Sequence, residues 1–105
     1  MVLEEDIVKY ALALENTSVR EEQGMKVFSR GERIFLVMEP GTDPLRIQLR
    51  CERNLSKTLQ GRYESVMESR ALGRNGIEII CSGQLEHDEI IDLVRHGYEM
   101  SAPEE

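Results

Sequence analysis

Apolar and polar positions change their period several times along this chain, and each change marks an element. From Leu45 to Cys51 they alternate strictly: Leu45, Ile47, Leu49 and Cys51 fall on one side, Arg46, Gln48 and Arg50 on the other. A period of two belongs to a strand buried on one face. The segment therefore predicts a strand whose Arg46, Gln48 and Arg50 side is open to solvent or to a partner. Arg33 to Met38 is a nearly continuous apolar run through Ile34, Phe35, Leu36 and Val37, the pattern of a strand covered on both faces. Met25 to Arg30, centred on Val27 and Phe28, predicts a further strand that Gly31 separates from the next. Pro40, Gly41, Asp43 and Pro44 form a dense turn cluster. Connections this short make an antiparallel meander over residues 25–51, and the rest of the chain is arranged around it.

Helical spacing flanks the meander. Leu3, Ile7, Tyr10, Ala11 and Leu14 predict a helix over 3–14. Glu4, Glu5 and Asp6 crowd its first turn, where the helix dipole favours acids. Asn16 to Ser18 stop it, and Val19 to Gly24 reads as a charged connector. Leu55 and Leu59, with Gly61 near the end, predict a short helix over 54–62. Tyr63 to Ser69 reads as a loop. Asn75-Gly76 is the dipeptide that tolerates two positive φ angles, so it predicts a tight hairpin turn between strands at 68–72 and 77–82. Ile90, Ile91, Val94 and Tyr98 form the buried stripe of a last helix over 85–100, with an acidic, frayed tail from Ser101 to Glu105. The sum is a single α+β domain: a two-layer sandwich with an antiparallel sheet of about five strands, helices on one face, and the order α-β3-α-β2-α.

Charge refines this outline. The 105 residues hold 13 Lys and Arg against 20 Asp and Glu, a net charge of −7. The signs are segregated: residues 45–84 carry seven bases and four acids, and residues 85–105 carry seven acids and one base. An acidic total argues against nucleic acid, whereas a basic middle keeps that partner open locally. Cys51 and Cys81 stand far apart with no CxxC spacing, so free, mostly buried thiols are expected and not a zinc or redox motif. No apolar run is long enough to cross a bilayer, and residues 1–14 are acidic where a targeting segment is basic. A cytoplasmic protein without a membrane partner is expected.

Candidate chemistry is sparse. His87 and His96 lie nine residues apart, outside HExxH spacing, and read as solvated helix histidines. Glu86, Asp88, Glu89 and Asp92 read as a solvated face, with loose cation binding the alternative. No Gly-rich loop opens a helix, and no nucleophile stands beside a base. Catalytic residues, a cofactor and a metal are therefore not expected, and the chain reads as a non-enzyme. Arg46 and Arg50 on one strand face, Arg70 and Arg74 around the expected hairpin, and Arg30 and Arg33 around the first turn are the candidate nucleic-acid contacts. Phe35 and Val37 are candidate partner-binding residues, if the apolar run leaves them on the open face.

The chain carries Lys26-Val27-Phe28, Gly31 before Ile34-Phe35, and Leu45 to Cys51 entering a short helix. Tyr63 and Val66 follow, then Gly83 before Asp88-Glu89-Ile90, then Leu93-Val94 and Tyr98. In this order and spacing it resembles the MmcQ/YjbR family of small bacterial proteins. The resemblance implies a two-layer fold of the frataxin-like or secretion-chaperone-like kind, and a double-wing-like DNA-binding surface. Where that family usually carries a basic turn with His and Trp, this chain reads Ala71 to Ile77, with Ile77 at the place of the tryptophan and Arg74 keeping part of the charge. A non-enzymatic module binding double-stranded DNA through a basic open sheet face ranks first, on that resemblance. A protein-interaction or chaperone-like adaptor, partnering another protein or dimerising with itself, ranks second. An iron-related role of the helix acids is a third reading, by fold analogy alone.

Overall fold

The computed structural model describes residues 3–103. It contains α1 (Leu3–Ala13), β1 (Thr17–Glu22), β2 (Met25–Arg30), β3 (Arg33–Glu39), β4 (Arg46–Arg50), α2 (Arg53–Arg62), β5 (Val66–Ser69), β6 (Gly73–Ile80) and α3 (His87–Met100). The strands form one six-stranded sheet in the order β1-β2-β3-β4-β6-β5, every pair antiparallel. Phe28, Leu36, Leu49 and Ile77 lie in one cross-strand row, and Met38, Ile47, Ile79 and Val66 in the next. Both rows face Ile7 and Ala11 of α1 and Ile90 and Val94 of α3 in a single core. No helix among the described residues is long and apolar enough to cross a membrane.

Three expectations about the sheet are corrected. First, the sheet has six strands, because the charged stretch after α1 is itself the edge strand β1. Gln23 at φ 53° and Gly24 at φ 81° form a two-residue loop between the paired Glu22 and Met25. Two positive φ angles match the right-handed twist of the strands they join.

Second, Asn75-Gly76 is not a turn. The β5–β6 turn lies at Arg70 to Leu72, with Gly73 at φ 59°, while Asn75 and Gly76 run within β6. Gly76 pairs with Arg50 of β4, and the Asn75 carbonyl accepts from the Cys51 amide at 2.9 Å. Setting Ile77 and Ile79 opposite Leu49 and Ile47 fixes this register, because a one-residue slip would turn both isoleucines out of the core.

Third, Phe35 is in the core. Ser29 pairs with Ile34 and Phe28 with Leu36, so Phe35 is the extra residue of a β-bulge. The bulge sends Phe35 and Leu36 to the helix side, where Phe35 meets Tyr98 of α3 edge to face at 5.6 Å. At the C-terminal end, Ser101 is buried rather than frayed: its hydroxyl donates to the Gly97 carbonyl at 3.0 Å. Glu104 and Glu105 lie outside the described residues.

Candidate functional site

The sheet face away from the helices carries the row Val27, Val37, Gln48, Glu78 and Met67. Val37 is there as expected, but only 5 % exposed, and Glu78 is 1 % exposed. A buried carboxylate needs partners, and Glu78 has two arginines. Arg70 donates to both of its oxygens at 2.9 and 3.2 Å, and Arg46 lies 3.7 Å away. Arg70 also reaches Glu39 at 3.2 Å. These carboxylates raise the pKa of Arg70, with the Glu78 hydrogen bond the largest cause. Beneath them the Gln48 side-chain oxygen accepts from Ser69 Oγ at 2.6 Å and from the Ala71 amide at 2.8 Å, which ties the β5–β6 turn to β4. The charge of Arg46 and Arg70 is thus balanced within the protein.

The other four candidate arginines lie elsewhere. Arg30 stacks 4.0 Å over the Tyr98 ring and donates to the Tyr98 carbonyl at 3.0 Å, which fastens β2 to α3. Arg30 and Arg33 line one depression together with Glu32. Arg50 donates through Nε to the Ile34 carbonyl at 2.9 Å. Its pKa is lowered, first by burial and then by the like charge of Arg33. Arg50 and Arg53 line a second depression beside Glu52. Arg53 also lines a third, a cleft of about 360 Å³ between α2 and the β5–β6 end, with Ser56, Lys57, Gln60, Glu68 and Arg74.

Six basic side chains thus line these three neighbouring depressions, which form one basic edge of the molecule, with three acids among the described lining residues. Arg53, Lys57 and Arg74 have no carboxylate within 4.0 Å among the described residues. Glu52 does not neutralise them by a close contact. Its carboxylate caps α2, accepting from the Leu55 amide at 2.9 Å, and the Asn54 and Leu55 amides hold its pKa below the usual carboxylate range.

Arg53 and Lys57 were missed as sequence candidates. A signal was present: the first turn of α2 holds no acid and begins with Arg53, against the preference of a helix N-terminus for negative charge. A base at that position is unfavourable for the helix.

The histidines are half-exposed and each is also bonded. His87 contacts Asp6 of α1 at 2.9 Å, and His96 Nε2 accepts from the Glu52 amide at 3.2 Å, so each joins two segments. Cys51 is buried and Cys81 half-buried, both free. Among the described residues no three His, Cys, Asp or Glu side chains converge on a possible metal position.

No family model matches this chain, and no curated protein matches it. Solved structures share the fold, two of them as follows. The Deinococcus radiodurans protein DR2400, described with the domain DUF419, superposes with a TM-score of 0.82 at 17 % identity, over 92 % of this chain and 76 % of that one. A Pseudomonas syringae protein solved in a structural-genomics programme gives 0.75 at 15 % identity, over 97 % of this chain and 100 % of that one. At such identities the likeness is one of fold.

Proposed function

We propose that this chain is a non-enzymatic binding domain that holds the phosphate backbone of double-stranded DNA along the edge carrying Arg50, Arg53, Lys57 and Arg74. The observation that carries this is the gathering of like charges. Arg53, Lys57 and Arg74 line one cleft with Glu68 as its one acid and form no ion pair within 4.0 Å among the described residues, and Arg50 sits beside the same Arg53 and Glu52. Crowded cations raise each other's energy, and an anion between them relieves that repulsion. Arginine and lysine at a cleft wall suit phosphate oxygens, and such contacts position a duplex without reading its sequence. The resemblance to a family described as DNA-binding points the same way. The edge replaces the open sheet face as the contact surface, because Arg46 and Arg70 already serve Glu78 and Glu39.

Binding of this kind depends on salt. Each neutralised phosphate contributes a slope of about −0.9 in log K against log salt, so three or four contacts give about −3 to −4. The acids elsewhere on the protein make the binding modest and oriented. The test is fluorescence anisotropy of a labelled random duplex over a salt series. Steep weakening with salt is expected, and it should be unchanged in Arg46→Gln. No binding at low salt, or binding that is insensitive to salt, would remove the proposal.

A further inference from the structure

A second surface has the opposite chemistry. α2 covers β5 and β6, while α3 covers β3 and β4 and packs on α1. Between α2 and α3 runs a groove of about 310 Å³ lined by Leu55 and Leu59 on one wall, Leu93 and Leu85 on the other, and Glu89, Asp92 and His96. Leu55 and Leu59 stand one helical turn apart on α2. Leu55, Leu59 and Leu93 are only half-buried, although each touches the core. The charged rim comes from α3 alone and is acidic. Glu89 and Asp92 are exposed and form no ion pair with a base among the described residues, while one Glu89 oxygen accepts from the Glu86 amide at 3.1 Å in the capping box of α3. His96 is already engaged with the Glu52 amide.

We infer that this groove docks a basic amphipathic helical segment of a partner protein: leucine-like side chains one turn apart enter between Leu55, Leu59 and Leu93, and flanking Lys or Arg pair with Glu89 and Asp92. The apolar floor supplies affinity by leaving water, and the acidic rim selects the sign of the partner. An acidic segment is repelled by that rim. A second copy of this chain, whose own α2 carries leucines one turn apart beside Arg53, Lys57 and Arg62, is the competing occupant, and the test separates it from a partner protein. The groove is separate from the basic edge and opposite in sign, so failure of either reading leaves the other standing.

The experiment is amide NMR of the full chain titrated with two synthetic helical peptides. Both carry leucines at i and i+4; one has lysines at its polar positions and the other glutamates. The lysine peptide should give saturable shifts at Leu55, Leu59, Glu89, Asp92 and Leu93. The glutamate peptide should bind about tenfold or more weakly. Glu89→Gln, which keeps a capping side chain at that position, with Asp92→Lys should abolish or reverse the preference, and Leu59→Ala should weaken the lysine peptide. Equal binding of both peptides, or no saturable shift in the groove, overturns the inference. Groove shifts that follow protein concentration without peptide also overturn it, since the occupant would then be a second copy.

Discussion

Gly76 has almost no room beside its backbone: a Cβ there would lie 2.6 Å from the Leu49 carbonyl oxygen and 2.8 Å from the Leu72 Cβ. It is glycine for close approach of two strands, not for a turn. Gly76→Ala should therefore destabilise the protein by about 1–3 kcal/mol, as overpacked sites do, read as a lower urea midpoint with unchanged m. In the sequence the Asn-Gly pair marked this glycine as special but gave the wrong reason, because its partner strand is some 25 residues away. The cysteines were read more fully. Burial raises the thiols of Cys51 and Cys81 from the ordinary 9.0 to about 11. The unfolded thiols ionise first as pH rises, so the stability they lend is complete below pH 9 and is lost as pH climbs to about 11. A urea midpoint falling over that window in wild type, and falling less in a Cys51→Ala, Cys81→Ala double variant, is the expected result.

Among the elements, α2 has the most consequence. Its N-terminus is held by Glu52 from below and lined by Arg53 and Lys57 on the cleft side. The Glu52 carboxylate is bonded in the folded state with a depressed pKa, so its contribution is present above the normal carboxylate range and is lost as pH falls through the depressed value. Glu52→Gln should lower the thermal midpoint at neutral pH and flatten the acid limb of the stability curve. The helices and the three strands of the meander were legible because their apolar periods are strong. β1 was not, since its one apolar residue, Val19, faces solvent, and its pairing depends on the turn at Gln23-Gly24 and on β2. The side taken by Phe35 was equally hidden, because a bulge depends on the neighbouring strand and not on local pattern.

At the scale of the molecule, the charge segregation of the sequence becomes a separation in space. Arg50, Arg53, Lys57 and Arg74, all from the basic middle, line one edge, and the acids of the last helix border the groove between α2 and α3. Which arginines remain available was not legible. Glu78 claims Arg46 and Arg70 only once β4 has paired with β6 and the β5–β6 turn has brought Arg70 over the same face. The most direct measurement is therefore charge reversal on the two residues that the fold, rather than the sequence, brought forward. Arg53→Glu with Lys57→Glu is compared with wild type for binding of the random duplex at low salt, with far-UV circular dichroism to confirm folding. The predicted result is a loss of binding of at least about tenfold, with the salt slope shallower by about 2. A folded double variant that binds with wild-type affinity and slope would contradict the basic edge as the DNA-holding surface.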